Sequence, residues 1–458
     1  MLVLGTCAEG PDRVKGARHV ILISMDTSRA DHFGFMGNND AKTPRMDEMA
    51  EESIVFADFM TVVPTTLASH TSLFTGKYPH HHGAARNGYV VNGENVMLPE
   101  ILKEAGFHTA GFVGSFVLSS RFDFSQGFDY YDDTFGIPAG QGGTEQTERS
   151  AADVTDAAIR YLDGIEVPRR MFLFVHYFDP HRPYAAPAPF DKAFDPRGRE
   201  GLPQLAVIMR DTTLTEAERL AHARRQELQY ASEIAYMDHH IGRLLDDLRD
   251  RGILEESFVL VTSDHGENLL DHYMRFDHGH RVFQSTVKAV LVIRLPGGGE
   301  SRVLVKQLVG SVDVLPTLLE FLGLTVPSKI DGQAVDLSSV GELFPGRMRF
   351  SQATRPHGDF ERGTPWPNTH KSRCVRKGEY KFIQNPLVGT EELYNVLSDP
   401  GEQTNLLLSP LPGTEILTTE LRRELETWVD SADPLPSRFE NLETEDSIRK
   451  LRGLGYIK

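Results

Sequence analysis

Four side chains of this chain have the types and positions to act on an ester together. Thr66 carries a hydroxyl where a helix is predicted to begin, in Pro64-Thr65-Thr66-Leu67-Ala68-Ser69-His70-Thr71-Ser72-Leu73-Phe74-Thr75-Gly76. Asp26 follows the apolar run His19–Met25, and Asp264 and His265 follow the apolar run Phe258–Thr262. If those runs are parallel strands of one sheet, their ends meet at one edge, where ligands collect in such sheets. Two carboxylates, an imidazole and the Thr66 oxygen then form a cage for one divalent cation. Such an ion lowers the pKa of a bound hydroxyl and stabilises charge on ester oxygens. It thereby remedies the weakness of threonine as a nucleophile at neutral pH, and a helix N-terminus adds a smaller effect of the same sign. Taken singly, an Asp at a strand end is more often a cap or turn residue; the combination carries the reading.

The elements that must position these groups alternate. Besides His19–Met25, strands are predicted at Thr109–Val113, Phe172–Tyr177, Phe258–Thr262 and Ala289–Ile293. Helical patterns cover Leu98–Ala105, Ala151–Leu162, Thr215–Arg251 and Val312–Leu322, and Thr215 with Glu218 has the spacing of a capping box. This order predicts an α/β domain with a mostly parallel sheet flanked by helices. Loop-rich inserts are expected at 133–147 and 182–214. From about residue 346 short strands (Met348–Ser351, Tyr380–Gln384) precede an amphipathic helix at Glu415–Val429, the pattern of a small α+β subdomain with an antiparallel sheet. The expected organisation is a leader or tether at 1–18, a catalytic domain at 19–345, the subdomain at 346–435 and a charged surface tail at 436–458.

A formal net charge of −17 argues against nucleic acid or an anionic membrane as a bulk partner. An anionic ester must therefore be drawn in by local positive charge, such as a bound metal. The two cysteines, Cys7 and Cys374, imply no disulfide framework, and no apolar run approaches the length of a membrane span. Met1–Cys7 looks like the end of a lipoprotein signal without its basic start. The chain is periplasmic or lipid-anchored if its start lies upstream, and cytoplasmic otherwise.

The Thr66 stretch resembles the nucleophile signature of the sulfatase family, within the alkaline-phosphatase superfamily: Cys-x-Pro-Ser-Arg, a small residue, then Ser-Leu-Leu-Thr-Gly. Aligning Ser72-Leu73-Phe74-Thr75-Gly76 with its end places Thr66 where the family has the cysteine that matures to formylglycine, a conversion closed to threonine. The resemblance extends over Tyr78-Pro79-His80-His81-His82-Gly83, Leu291–Gly297, Val312–Leu318, Glu392–Asn395 and Asp399–Glu402. It implies the alkaline-phosphatase-like fold and a metal site of Asp26, Thr66, Asp264 and His265. His70 stands where the family has the arginine that supports formylglycine, and is expected to contact substrate. Asn87, 21 residues after Thr66, resembles the asparagine that contacts a phosphoryl oxygen in phosphonate monoester hydrolases, with a turn in Asn87-Gly88 as the equal alternative. His181, in Asp179-Pro180-His181-Arg182-Pro183, and His278, in Asp277-His278-Gly279-His280, resemble family positions near the substrate and are expected to bind the ester or protonate the leaving group. His80, His81 and His82 read as surface or capping residues. His176 and Asp179 could help hold a second metal, but Pro183 stands where the two-metal pattern needs histidine.

Imidazole in the cage favours zinc or manganese, with calcium the third option. One divalent ion against two aspartates leaves the cage near neutral, which suits a monoanionic ester: a sulfate monoester, a phosphodiester or a phosphonate monoester. The expected partner is a small-molecule, glycan or lipid ester, with the oligomeric state open. Thr66 and His265 favour phosphorus, whereas the overall resemblance favours a sulfuric ester hydrolase working without formylglycine. A phosphoryl transferase and a non-catalytic binding protein are the rivals from other classes.

Overall fold

The computed structural model describes residues 16–135, 147–272, 276–338, 347–353 and 372–437. The predicted tail beyond 437, most of the leader and most of the insert at 133–147 lie outside these residues.

Three runs rich in β-branched and aromatic residues, His19–Met25, Met171–Tyr177 and Ser257–Ser263, are buried at every position. Strands covered on both faces need apolar residues on both, which is why they read as unbroken apolar runs. They pair in parallel, with Met25 level with both Tyr177 and Ser263. They form the centre of an eight-stranded sheet in the order Val303–Val305, Ile54–Phe56, Leu291–Arg294, Ser257–Ser263, His19–Met25, Met171–Tyr177, His108–Val113 and Tyr130–Asp132. Leu291–Arg294 runs antiparallel to both of its neighbours, so the sheet is mixed but mostly parallel.

The expected strand Ala289–Ile293 is divided at Val290. Lys288–Ala289 joins a separate three-stranded sheet, while Leu291–Arg294 enters the main one. Side chains at the end of the neighbouring strand explain the break: Val290 N donates to Ser263 Oγ at 2.8 Å, and Thr262 Oγ1 donates to Val290 O at 2.8 Å.

Alternation sends even-numbered residues of the first strand to one face and odd-numbered ones to the other. Val20 and Leu22 pack with Leu67, Leu73 and Phe74 of the helix Thr66–Thr75 and with Leu315 and Leu318. Ile21 and Ile23 pack with Val154 and Ala158 of the helix Ala151–Asp163 and with Ile234, Ile241 and Leu244 of the helix Glu216–Asp250. The latter opens with the predicted capping box: Glu218 N donates to Thr215 Oγ1 at 3.3 Å, and Thr215 N donates to Glu218 Oε2 at 2.9 Å. The insert at 182–214 is more ordered than its composition suggests, with a short helix at Leu205–Arg210.

The C-terminal part is an antiparallel sheet of Met348–Gln352, Arg373–Lys377, Tyr380–Asn385 and Thr390–Asn395, crossed by the helix Thr414–Asp430. Both faces of this sheet are covered. Val375, Phe382 and Leu393 meet Leu421, Leu425 and Trp428 together with Val62, Val63 and Tyr78, on either side of the segment that carries Thr66. Cys374 and Ile383 face the other way, against Met60, Val282, Phe283 and Val287.

Of the surface-or-capping reading, the surface alternative fails for His80 and His82, which are buried, while His82 Nδ1 accepts from Ala84 N at 3.1 Å at the end of the short helix Pro79–His82. The His80 ring packs edge-on against Trp428 at 4.4 Å, and His82 Nε2 bonds Ser72 Oγ at 3.0 Å.

Candidate active site

Parallel register brings the expected groups together. Asp26 and Asp264 are the residues immediately after two adjacent strands that end level. Asp26 N continues the ladder by donating to Tyr177 O at 2.9 Å. The next residue, Thr27, has φ of 48°, a left-handed conformation that costs a β-branched residue energy. It is held from both sides: Thr27 N donates to Asp264 Oδ1 at 3.1 Å, and Thr27 O accepts from Tyr230 Oη at 2.7 Å. His265 N also donates to Asp264 Oδ1, at 2.7 Å, so one oxygen of Asp264 is fixed by backbone and the other is left. Gly266 lets the loop close, because a Cβ there would lie 2.1 Å from Ser285 O.

Thr66 is the first residue of the helix Thr66–Thr75, which ends at Gly76 in the left-handed conformation. Asn87 Oδ1 caps this helix by accepting from Leu67 N at 2.8 Å, while Asn87 Nδ2 is buried without a partner. Ser69 Oγ ties the helix to the second aspartate's backbone, donating to Asp264 O at 2.8 Å.

Donor atoms from Asp26, Asp264 and His265 lie within 4.8 Å of one another, and all three residues are buried. Asp26 Oδ1, Thr66 Oγ1, Asp264 Oδ2 and His265 Nε2 are all buried and make no well-formed hydrogen bond. Orphaned polar atoms are rare and costly inside proteins. The Asp26, Asp264 and His265 atoms converge, and their oxygen and nitrogen donor set fits a divalent cation. Their surroundings support the same use. His265 Nδ1 donates to Gly266 O at 2.9 Å, which leaves Nε2 as the lone-pair donor. His176 Nε2 lies 3.4 Å from Asp26 Oδ2 and orients that carboxylate.

Burial pushes the Asp26 carboxyl well above the usual range, and Glu267 and Glu148 add to this, while the nearby Thr66 hydroxyl offsets part. Asp264 is raised likewise, by burial and then by Asp26. His265 is held well below the ordinary imidazole value by burial and by His278, hence neutral as a ligand must be.

The remaining expected residues divide. The His278 ring lies 4.5 Å from that of His265 and 5.4 Å from that of His181, so both reach the rim of the cage. His278 Nδ1 faces the buried Glu267 carboxylate at 3.3 Å. The sequence reading missed Glu267, although it sits three residues after Asp264 in the same loop. His181 Nδ1 donates to Arg182 O at 2.9 Å, and burial, then His278 and Arg182, hold its pKa well below the usual value.

His70 is placed differently from expectation. Its Nδ1 donates to Thr66 O at 2.7 Å and its Nε2 pairs with Ser24 Oγ at 2.7 Å. With both nitrogens committed, and burial and then His176 lowering its pKa, His70 is a neutral brace between the first strand and the helix Thr66–Thr75. It occupies the expected arginine's position without offering a donor to substrate.

Comparison with known proteins agrees with this architecture. A family model described as Sulfatase matches residues 18–324, and one described as N-sulphoglucosamine sulphohydrolase, C-terminal, matches residues 272–430. An ulvan-active sulfatase of Formosa agariphila is 26% identical over 428 residues, spanning 89% of this chain and 80% of that protein. The crystal structure of a phosphonate monoester hydrolase of Agrobacterium radiobacter superposes with a TM-score of 0.70 at 21% identity, over 91% of this chain and 96% of the other. The structure of BT4656 in complex with its substrate D-glucosamine-2-N,6-O-disulfate superposes with a TM-score of 0.71 at 20% identity, over 91% and 98%. With its signature stretch, its sheet and the match over residues 18–324, the chain belongs to the sulfatase family and is an ester-bond hydrolase.

Proposed function

We propose that the chain hydrolyses monoanionic phosphorus esters, phosphodiesters or phosphonate monoesters, with Thr66 as the nucleophile. The observation that carries this reading is the convergence of buried donor atoms from Asp26, Asp264 and His265, with the Thr66 hydroxyl beside Asp26 at a helix N-terminus. Asp26, Thr66, Asp264 and His265 would hold one divalent cation, zinc or manganese ahead of calcium, which lowers the pKa of the hydroxyl and offsets charge on the ester oxygens.

The chain's own residues supply the rest. The deprotonated Thr66 oxygen attacks phosphorus in line, and its bond to phosphorus forms as the bond to the leaving oxygen breaks. The leaving oxygen takes a proton from His278, whose imidazolium form is stabilised by the Glu267 carboxylate at 3.3 Å. Water then attacks phosphorus and gives a proton back to His278, and the threonine oxygen is released as it entered. Neutral His181 orients the ester, and Asn87 Nδ2 donates to a non-bridging oxygen.

Threonine in place of the oxidisable cysteine and imidazole in the cage favour phosphorus over sulfur. Relatives named as sulfatases favour the second reading, a sulfuric ester hydrolase using the same threonine. Turnover of an aryl sulfate, an aryl phosphonate and a bis-aryl phosphate by metal-reconstituted protein separates the two. In the proposed case the phosphorus esters dominate and Thr66→Ala loses at least about a thousandfold in kcat, whereas Thr66→Ser retains part of it. Dominant sulfate turnover moves the assignment to sulfur, and undiminished turnover in Thr66→Ala removes the nucleophile.

A further inference from the structure

An ion pair is fully buried where the C-terminal sheet meets the catalytic part. Lys381 Nζ lies 2.8 Å from Glu402 Oε1, and both side chains are sealed from solvent. Lys381 shares with Ile383 the sheet face turned toward Val282 and Phe283. We infer that this pair is a positioning device for the site: it fixes the segment 281–287, and through that segment the imidazoles of His265 and His278. The inference deepens the ester-hydrolase reading and rests on it for the roles of those two histidines.

The path between them is continuous. Glu402 Oε2 accepts from Gln284 N at 2.6 Å, and Lys381 Nζ reaches Gln284 Oε1 at 3.4 Å. Gln284 opens the helical turn Gln284–Val287, in which Thr286 O accepts from Gly266 N at 2.9 Å. Gly266 O in turn accepts from His265 Nδ1, so the aim of His265 Nε2 depends on where Thr286 sits. Thr286 Oγ1 lies 3.1 Å from Arg281 O, and the Arg281 guanidinium donates to Asn385 Oδ1 of the same C-terminal sheet at 2.6 Å. His278 stands three residues before Arg281. The stretch 277–284 that carries it is fixed at both ends, by backbone pairing of Asp277 with Asn268 and by Glu402 on Gln284 N.

Two features separate this arrangement from ordinary packing. Apolar residues of like volume would join the two layers at least as well, because a buried ion pair recovers its desolvation cost poorly. They could not supply an acceptor for Gln284 N. Glu402 also has φ of 51°, a left-handed conformation that costs a non-glycine residue energy. That strained backbone places one carboxylate against one backbone N–H of the catalytic part.

The test compares two double variants that both remove the buried charges and differ in the acceptor: Lys381→Met with Glu402→Leu, and Lys381→Met with Glu402→Gln. Hydrogen exchange is read by segment on each, with kcat and KM on an ester that the parent protein turns over. The Glu402→Leu variant should lose at least about tenfold in protection over 281–287 and 264–267, with Thr66–Thr75 unchanged. Its kcat should fall at least about tenfold at unchanged KM. The Glu402→Gln variant should regain most of both. Parent-like exchange or parent-like kcat in the Glu402→Leu variant, or no recovery in the Glu402→Gln variant, overturns the inference. Loss of protection that extends to Thr66–Thr75 overturns it too, by assigning the pair to general stability. Because exchange is read without substrate, a failure of the Thr66 mechanism in the kinetic assay is distinguished from a failure of this inference.

Discussion

Asp26 and Asp264 face each other in a buried site, and ionising both without a counterion is unfavourable. Their folded pKa values are raised above those of the unfolded chain, near 4. Groups shifted in this direction contribute stability that is fully present below the unfolded pKa and is lost as pH rises through the folded one. This pair therefore adds stability to chelated protein as pH falls, opposed by buried imidazoles such as His70, His176 and His265 that the fold keeps neutral, and the stability gained on loading metal should shrink as pH falls from about 8 to about 5. Glu148, Asp179 and Asp238, each raised to about 7, add the same sign to both forms. Thermal scans across this window, with elemental analysis of Asp26→Asn and Asp264→Asn, check the point. Superimposable chelated and loaded profiles would mean that the four orphaned atoms hold no cation, and each substitution should lower bound metal by roughly 10-fold or more.

At the scale of elements, the site depends on how the helix Thr66–Thr75 is locked to the sheet. His70 spans from Thr66 O to Ser24 Oγ, and Ser69 Oγ reaches Asp264 O. Removing a buried, doubly bonded imidazole leaves a cavity and two orphaned groups. His70→Ala should cost about 2–4 kcal/mol in urea unfolding and reduce kcat more than KM, since substrate contacts are untouched. A large rise in KM with unchanged stability would instead return His70 to the substrate-binding role that its sequence position suggests. This case shows where the chain is hard to read. The spacing of His70 from Thr66 places it one turn along a helix, but which side of that turn faces the sheet depends on strands distant in sequence. Asp26 and Asp264 were legible because a residue directly following a buried parallel strand has one place to be, the carboxyl edge. His278, His181 and Glu267 lie on loops, whose paths depend on what they pack against.

The whole molecule holds the helix Thr66–Thr75 from the far side as well. Trp428 of the C-terminal helix stacks on Phe350 at 5.1 Å and meets Tyr78, just past the helix Thr66–Thr75, at 5.2 Å. Trp428→Ala should destabilise by about 3–5 kcal/mol and carry the catalytic part with it in one transition, because Val62, Val63 and Tyr78 share that core. Two separate transitions would show the subdomain to be an independent folding unit. Net charge acts at this scale too. A formal charge of −17 repels an anionic ester over long range. Raising ionic strength from about 10 mM to about 150 mM shortens the Debye length from roughly 30 to 8 Å, and kcat/KM for an anionic ester should rise by a small factor; a fall would indicate a positively charged approach path.

The sequence alone determined the family, the alternating α/β order, the central strands and the meeting of Asp26, Asp264 and His265. These follow from short-range rules: buried parallel strands are apolar throughout, and motif residues sit directly at strand and helix ends. Only tertiary structure decided that Ala289–Ile293 breaks at Val290, that His70 braces a helix, and that His80 and His82 are buried. Each of those outcomes depends on partners far along the chain, and a side chain's partners are set by packing in three dimensions.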